Sequence, residues 1–522
     1  MNFKTHIDLL LVNPGVFSGT RGYGSMLHEP TMGLYLLREY LSEQGFKIDI
    51  LDGTFQIFDD AEILKKAQIS KVIGFYSVYT NMQKIFKISS LIKQEKSDAV
   101  IIAGGPNWPA GEEILMTGTG IDIVVKENAE DSVRNILLQL RDNGYITPES
   151  IKGIFYRSGK IVIDTGNSPH SFQVSKLASV QFEVPLLRKS VLKLITAKGC
   201  PNNCDFCQSP KWNELSSMED ALNAIETAWS EGIDTFYIAD ENFCPQRLSY
   251  RVISFCDLIK NSNVINRPIN LKLFLEPQTP VSVLEYLKQV AYINAFVGFE
   301  SFSDEALVFF GKKNSRRNNL LFWDNARKIG FNILPGIIAL HPFSTPEELL
   351  DLINILAMYD ALSWRLLLKK MDLYPGTALL MKIKKEFSNL LKTSFSPFLR
   401  PSDWDYIYDR HLGKPVMRSI EKVFTILGDK NKVKELYSLM FDLSFVLGNK
   451  KGEISNLYHP IQSNFIKLTK ELAIKIVQII KQHPHENFEG KLKPLISRYL
   501  EEVDIIFENC KNFLSDVIGD KK

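Results

Sequence analysis

The chain has 522 residues, of which 45% are hydrophobic and 23% are charged, and its formal net charge is +2. These values describe a globular protein with several domains; they exclude a small disulfide-stapled or disordered chain and offer no basic excess for nucleic acid. The first 14 residues predict a strand and not a signal peptide, and no apolar run is long enough to span a membrane, so we expect a cytoplasmic protein.

The first segment alternates apolar runs with helical patterns. Residues 7–12 form an apolar run ended by Asn-Pro-Gly, which is typical of a buried parallel strand. This pattern predicts a doubly wound α/β domain of the flavodoxin-like or Rossmann-like kind over residues 1–145. Further strands are predicted at 46–51, 72–77, 99–103 and 122–125, and helices at 32–44 and 82–95. Ligands of such sheets lie beyond the carboxyl ends of the strands, here at loops 13–31, 77–81, 104–109 and 126–130.

The sequence texture changes over residues 146–190, which we interpret as a linker. Within it, residues 153–163 contain a Ser-Gly turn flanked by β-forming residues and predict a hairpin.

Half of the six cysteines fall within eight consecutive positions, at Cys200, Cys204 and Cys207. Three thiolates at this spacing favour a metal site with three protein ligands and one open position, because no second Cys or His pair follows to complete a zinc site. A coincidental loop, or a zinc site with a distant fourth ligand, is the alternative. We expect Cys244 and Cys256 to be small buried residues.

A second α/β series begins with the apolar run at 191–195, just before the cysteines. Six βα units predict an incomplete barrel over residues 191–377, with its active face at the carboxyl ends of the strands. The strands are predicted at 235–239, 270–275, 295–299, 331–339 and 365–371.

The tail, residues 378–522, has a mainly helical pattern, and we expect it to cover the barrel mouth and shape a substrate pocket. Its dense aromatic group, Trp404, Tyr406 and Tyr408, fits a core better than a binding platform. The histidines of the tail, His459, His483 and His485, fit no metal spacing and are expected at the surface.

The cysteine motif, C-x-x-x-C-x-aromatic-C with Phe206 as its aromatic residue, resembles that of the radical S-adenosylmethionine (SAM) superfamily. The resemblance implies a four-iron, four-sulfur cluster on Cys200, Cys204 and Cys207, whose fourth iron binds the amino and carboxylate groups of SAM. Short sequence matches at the predicted strand ends extend the resemblance to the rest of the barrel. For Glu300, the alternative is a buried structural residue that joins barrel strands through an ion pair. The SAM-binding residues implied are Phe206, Asp240, Glu241, Asn242, Glu276, Gln278, Gly298, Glu300, Ser301 and Ile338.

The first domain resembles the cobalamin-binding domain that precedes the radical SAM barrel in one large subgroup. Hydroxyl groups at Ser77 and Thr80 could bond a buried nucleotide tail, and paired glycines allow close approach of a flat ring system. A domain that binds nothing is the alternative. The cobalamin-binding residues implied are Pro14, Gly15, Gly33, Leu34, Ser77, Val78, Tyr79, Thr80, Gly104, Gly105, Pro106 and Glu127.

One feature departs from other cobalamin proteins, since no D-x-H-x-x-G motif follows the first strand. That motif supplies an axial histidine, and His28 lacks its upstream Asp. We therefore expect cobalt without a protein histidine and interpret His28 as an ordinary loop residue.

The resemblance implies a cobalamin-dependent radical SAM methyltransferase acting on an unactivated carbon. One SAM would methylate cobalamin, and a second, on the cluster, would yield the 5′-deoxyadenosyl radical that removes a substrate hydrogen. Cyclisation, ring contraction or oxidation with the same cofactors is one alternative, and a cobalamin- and cluster-binding sensor without catalysis is another. The expected partners are a small-molecule or peptide substrate and an external electron donor of the flavodoxin or ferredoxin type.

Overall fold

A computed structural model describes residues 7–15, 29–54, 56, 58–78, 80–117, 120–168, 178–184, 189–209, 214–388, 414–433, 435–436, 454–483 and 488–519. Within these ranges, no helix combines the length and the apolar character needed to cross a membrane.

The first domain is a sheet covered by helices on both faces. Its first five strands are parallel and lie in the order β2-β1-β3-β4-β5, the flavodoxin-like doubly wound arrangement that the sequence predicts. The elements are β1 (Ile7–Asn13), α1 (Met32–Ser42), β2 (Ile48–Asp52), α2 (Asp60–Gln68), β3 (Ser70–Tyr76), α3 (Met82–Glu95), β4 (Val100–Gly104), α4 (Gly111–Met116), β5 (Ile123–Val125) and α5 (Ala129–Asp142). Separate apolar clusters lie on the two faces of the sheet.

The predicted hairpin forms, but it belongs to the sheet of the first domain. Strands β6 (Ile154–Ser158) and β7 (Ile161–Asp164) extend that sheet, with β6 pairing antiparallel to β5. Strand β8 (Ala178–Val184) pairs antiparallel with the next strand of the chain and belongs to the second sheet. Residues 146–190 are therefore divided between two sheets.

The second sheet has the order β15-β14-β13-β12-β9-β8, and all strands except β8 are parallel. Helices cover its outer face, as expected for an incomplete barrel. Its elements are β9 (Lys189–Ile195), β10 (Ala197–Lys198), β11 (Glu214–Leu215), α6 (Met218–Ser230), β12 (Thr235–Ile238), α7 (Ser249–Lys260), β13 (Ile269–Leu275), α8 (Val281–Val290), β14 (Ala291–Glu300), α9 (Asp304–Phe309), α10 (Arg316–Ile329), β15 (Asn332–Ile337), α11 (Pro346–Met358) and α12 (Trp364–Leu367).

The predicted strand at 365–371 is wrong. The chain forms the short helix α12 there, and only a single bridge between Leu340 and Lys370 continues the sheet. The Ser363 side chain accepts a hydrogen bond from Leu366 N and so caps the helix, which stabilises the helical turn over the strand.

The described part of the tail is helical, as predicted: α13 (Ala378–Glu386), α14 (Lys414–Gly428), α15 (Ile454–Gln482) and α16 (Glu489–Gly519). The last three pack against one another and against α11 and α12. A buried hydrogen bond of 2.8 Å from Trp364 Nε1 to Tyr499 Oη joins the tail to the barrel. The aromatic group at Trp404, Tyr406 and Tyr408 and the residue His485 lie outside the described residues.

The first domain packs against the concave face of the second sheet. Helix α1 lies over β8, where Met32 and Leu36 contact Val180 and Ile195. The carboxyl ends of β1, β3 and β4 and those of the barrel strands consequently border a common space.

Candidate functional site

The three clustered cysteines lie on the loop that follows β9. Gly199 has φ +82°, a backbone conformation that favours glycine, and the pairing of β10 with β11 draws the two ends of the loop together. Cys200, Cys204 and Cys207 are partly exposed, whereas Cys244, Cys256 and Cys510 are buried, as predicted for the first two of these. The loop therefore presents its thiols for ligation while the other cysteines fill the core.

Burial raises the pKa of the Cys200 thiol to about 11, against an opposing hydrogen bond from the Asn202 backbone; Cys207, Cys204 and Glu276 raise it further. Metal binding would therefore release a proton from this thiol. Across the described residues, no three His, Cys, Asp or Glu side chains converge as a site for a single metal ion.

Segments from the barrel and from the start of the tail hold the middle of the loop. The Asp205 backbone donates to Phe310 O at 3.1 Å and accepts from Leu379 N at 2.8 Å. Gly311 has φ +65°, and a Cβ built on it would lie 2.5 Å from Asp205 Cγ, so only glycine fits there. Phe206 packs edge-on against Phe310, with ring centroids 6.1 Å apart.

The base of the loop is fixed by Asp240. Its carboxylate is fully buried and accepts from Thr196 N at 2.6 Å, from Ala197 N at 2.9 Å and from the Thr196 hydroxyl. Burial raises its pKa to about 6, against the opposing effects of Thr196 and Arg251. Because this carboxylate is surrounded by protein partners, we propose that Asp240 positions the loop instead of binding SAM as expected from the sequence.

The two residues after Asp240 lie in different environments. Glu241 is exposed, and its Oε2 accepts from the Ser209 hydroxyl at 3.0 Å. Asn242 is buried, yet neither its side-chain oxygen nor its side-chain nitrogen has a hydrogen-bond partner among the described residues. Buried amides are normally paired, so Asn242 fits a polar ligand such as SAM.

The polar residues that follow β13 lie beside the cysteine loop. Glu276 accepts from Asn202 Nδ2 at 2.6 Å, which connects this strand end to the loop. Gln278 donates to Lys313 O at 2.6 Å, while its buried side-chain oxygen has no partner among the described residues.

At the end of β14, Glu300 has a strained backbone conformation and forms an ion pair with Lys312. Glu300 has φ +62°, and its Oε1 lies 3.3 Å from Lys312 Nζ, as in the ion-pair alternative considered from the sequence. Burial by itself lowers the pKa of Lys312, but Glu300, Cys204 and Glu276 outweigh that effect and raise it. This largely buried ammonium group near Cys204 was not predicted from the sequence, since no motif includes Lys312.

The other residues predicted in this region, Gly298, Ser301 and Ile338, pack against or hydrogen-bond the backbone around Glu300. Gly298 has no room for a side chain, because a Cβ there would lie 2.6 Å from Glu300 Oε1. Ile338 N donates to Glu300 O at 2.7 Å, and the Ser301 hydroxyl accepts from Ser303 N at 3.0 Å.

A cavity of about 720 Å³ lies between the two domains. It opens beyond the carboxyl ends of β1, β3, β4 and β5, where doubly wound sheets bind ligands. Six predicted cobalamin-binding residues line it: Gly33, Leu34, Gly104, Gly105, Pro106 and Glu127. The barrel contributes Lys198, Cys207, Gln208, Ser209, Glu241, Pro375 and Gly376.

The inner part of the cavity is an apolar slot between the sheet and helices α1 and α5. Glycines at positions 33, 74 and 104 open this slot, since a Cβ on Gly74 would lie 3.2 Å from Leu11 Cδ2. A slot of this kind suits a flat aromatic group such as the nucleotide tail of cobalamin. Its apolar lining consists of Leu11, Leu34, Leu37, Ile102, Val125 and Val133.

Several predicted cobalamin-binding residues lie apart from this cavity. Ser77 is buried and donates to Gly104 O at 2.9 Å, so its hydroxyl holds the loop of Gly104, Gly105 and Pro106, which we call the glycine loop. The residues that do not line the cavity are Pro14, Gly15, Ser77, Val78 and Thr80. Tyr79 and His28 lie outside the described residues, and the described lining contains no histidine.

Sequence reasoning missed two charged groups of the cavity wall. Lys126 Nζ pairs with Asp164 at 3.0 Å and lies 5.3 Å from the ring centroid of Trp108. Glu130 of α5 pairs with Lys198, which precedes the cysteine loop, at 2.6 Å. No sequence motif predicts these two ion pairs, because the two residues of each pair are far apart in the chain.

Gln208, directly after Cys207, connects three segments. Its side-chain nitrogen lies 3.0 Å from both Pro106 O of the first domain and Pro375 O beyond the barrel strands. Gly376 has φ +76° and approaches the first domain so closely that a Cβ there would lie 2.8 Å from Pro109. The cysteine loop is thus fastened to the glycine loop that borders the slot.

Comparison with known families agrees with this arrangement. The model of the Radical SAM superfamily matches residues 194–356, and that of the B12 binding domain matches residues 26–137.

The curated relatives that match at low identity include two methyltransferases. An uncharacterized methyltransferase of Pyrococcus horikoshii is 22% identical over 338 residues, which are 61% of this chain and 71% of that protein. The cobalamin-dependent radical SAM methyltransferase TokK of Streptomyces tokunonensis is 25% identical over 230 residues, covering 40% of this chain and 33% of TokK.

Solved structures share the fold. The cobalamin-dependent SAM radical enzyme OxsB with aqua-cobalamin bound gives a TM-score of 0.71 at 16% identity, covering 99% of this chain and 81% of that one. The radical SAM methyltransferase TsrM of Kitasatospora setae, with cobalamin and its iron-sulfur cluster bound, gives a TM-score of 0.58 at 16% identity, covering 78% and 82%.

Proposed function

Since the chain belongs to the cobalamin-dependent radical SAM enzymes, we propose that it transfers a methyl group from SAM, by way of cobalamin, to an unactivated carbon of its substrate. The names of the relatives from Pyrococcus horikoshii and Streptomyces tokunonensis support methyl transfer. The observation that carries the proposal is the shared cavity, whose lining joins the glycine loop and apolar slot of the first domain to Cys207 of the barrel.

In this proposal, Cys200, Cys204 and Cys207 hold the cluster and leave one iron open to SAM. Asn242 and Gln278 carry buried polar atoms that have no hydrogen-bond partner among the described residues, which supports them as contacts to SAM. The cluster supplies one-electron chemistry and cobalamin supplies methyl transfer, neither of which a side chain can provide. The residues that line the shared cavity would hold both groups next to each other.

The cobalamin would insert its nucleotide tail into the apolar slot, with its ring near Gly104 and Gly105. The substrate would be a small molecule or peptide that enters the same cavity, and an external flavodoxin- or ferredoxin-type donor would supply electrons.

The test uses protein reconstituted anaerobically with iron and sulfide, hydroxocobalamin, SAM and dithionite. Wild type should retain one four-iron cluster and form both 5′-deoxyadenosine and S-adenosylhomocysteine, the latter only when cobalamin is present. Cys204→Ala should lose its iron and its 5′-deoxyadenosine. Cys256→Ala, which changes a fully buried cysteine of the core, is the matched control and should keep both.

Each alternative gives a different outcome. An intact cluster in Cys204→Ala would remove the assignment of the cysteine loop. Formation of 5′-deoxyadenosine without cobalamin-dependent S-adenosylhomocysteine would favour radical rearrangement, and uncleaved SAM in the reconstituted wild type would favour a binding protein.

A further inference from the structure

Two buried lysines lie side by side within the second sheet, on its concave face. Lys193 of β9, Tyr237 of β12 and Lys272 of β13 occupy the same register on three adjacent strands. The ammonium groups of Lys193 and Lys272 lie 4.9 and 4.1 Å from the centroid of the Tyr237 ring. Both ammonium groups are buried, and an unpaired buried charge is very unfavourable. The two lysines therefore require a neighbouring anion.

The anion comes from the first domain. Glu29 lies 2.6 Å from Lys272 Nζ and 3.2 Å from Lys193 Nζ, and Lys193 also donates to Pro30 O at 3.1 Å. The side-chain exposures of Glu29, Lys193 and Lys272 are 12%, 11% and 4%, so solvent screens this group weakly. We call Glu29, Lys193 and Lys272 the interdomain lock.

Hydrogen bonds within the first domain hold the backbone at Glu29 and at Thr31. The Thr54 hydroxyl donates to Glu29 O at 2.7 Å, and buried Asp52 accepts from Thr31 N at 2.6 Å. Glu29 therefore occupies its position through contacts within its own domain and presents its carboxylate to the barrel.

The segment that carries Glu29 leads into helix α1, which forms one wall of the apolar slot. Residue 31 precedes α1, and Gly33, Leu34, Leu36 and Leu37 of that helix line the cavity. The same helix packs on β8 and β9 through Met32 and Leu36. A shift of Glu29 away from the lysines would move the wall of the slot together with the domain interface.

We propose that the interdomain lock couples the docking of the two domains to cobalamin binding, so that each favours the other. This inference rests on the assignment of cobalamin to the slot. Linkage requires the effect to be reciprocal: bound cobalamin protects the interface, and loss of the lock weakens cobalamin binding. Glu29, Lys193 and Lys272 act as positioning residues, since they lie outside the lining of the cavity.

Glu29→Gln removes the charge at nearly constant size and is the first test. Hydroxocobalamin titration of the full chain, followed by visible absorbance, should show a dissociation constant raised about tenfold or more. Amide hydrogen exchange should become faster in peptides covering residues 189–195 and 269–275. Adding hydroxocobalamin to wild type should slow exchange in the same peptides.

Two further variants keep the test decisive. Asp49→Asn breaks a partly exposed ion pair with Lys66 inside the first domain and should leave both readouts at wild-type values. The triple variant Glu29→Leu/Lys193→Met/Lys272→Met replaces the buried charges by apolar groups and should restore cobalamin affinity, because apolar replacement of a buried ion triad is tolerated.

Wild-type affinity or wild-type exchange in Glu29→Gln would overturn the proposal. If Glu29→Gln fails to fold, wild type decides: unchanged amide exchange in the peptides covering residues 189–195 and 269–275 on adding hydroxocobalamin would overturn the proposal as well. Failure of wild type to bind hydroxocobalamin would instead refute the cobalamin assignment, which keeps the two conclusions separate.

Discussion

At the scale of single residues, neighbours in sequence have different roles. Asp240, Glu241 and Asn242 all follow β12, and the sequence predicted SAM contacts for all three. The structure places Asp240 in the core beneath the cysteine loop and leaves Glu241 exposed at the cavity. It buries Asn242, whose side chain has no hydrogen-bond partner in the described part of the chain. The predicted strand end was confirmed closely, but the direction of each side chain after it depends on tertiary contacts such as the one to Thr196.

The pH dependence of stability tests the role of Asp240. Burial raises the folded pKa of Asp240 to about 6, whereas an unfolded Asp titrates near 3.9. Between these values the folded protein binds the proton more tightly, so the stabilisation from this group is complete below about pH 4 and is lost as the pH rises to 6. The full effect is on the order of 2 to 3 kcal/mol.

Asp240→Asn does not titrate and supplies the comparison. The difference in melting temperature between wild type and Asp240→Asn, measured by circular dichroism without cofactors, should fall between pH 4 and 6 and stay constant above. A difference that is constant from pH 4 to 8 would show that Asp240 has an ordinary pKa.

At the scale of elements, periodic apolar patterns predicted most strands of both sheets, because parallel strands buried on both faces give continuous apolar runs. The pattern failed at 365–371, where a similar run forms α12 under the cap of Ser363. The pattern also missed α2. The Asp59 side chain caps this helix by accepting from Glu62 N, but the helix buries only Ile63 and Ala67, which is too few for a visible apolar period. Short segments of this kind carry too few residues for the period to decide.

Gly74 of β3 tests the apolar slot. The larger side chain in Gly74→Leu would enter the space between Leu11 and Ile102 and fill the inner part of the cavity. We expect hydroxocobalamin affinity to fall at least about tenfold, with the iron content of the reconstituted protein unchanged, since the slot lies in the other domain.

Gly490→Leu is the control, because a Cβ at Gly490 meets no atom within 4 Å. It should retain wild-type affinity. Unchanged affinity in Gly74→Leu would mean that cobalamin does not use the slot, and loss of both affinity and iron would indicate general misfolding.

At the scale of the whole molecule, the order of the domains and both cofactors were predicted from short motifs, and the family comparisons confirm them. The contacts that bring the domains together were not predicted. Lys198 with Glu130, Gln208 with Pro106 and Lys272 with Glu29 join residues 68 to 243 positions apart and have no local signal in the sequence. Only the folded chain shows that one cavity is shared.

Labelling of the methyl group of SAM shows whether that group reaches the substrate by way of cobalamin. The substrate must first be found, by mass spectrometry of metabolites and peptides from cells with and without the protein. With methyl-deuterated SAM, the product should carry the label only when cobalamin is present, and S-adenosylhomocysteine and 5′-deoxyadenosine should form in equal amounts with it. Substrate that loses hydrogen without gaining the label, or labelled product formed with no 5′-deoxyadenosine, would contradict the account.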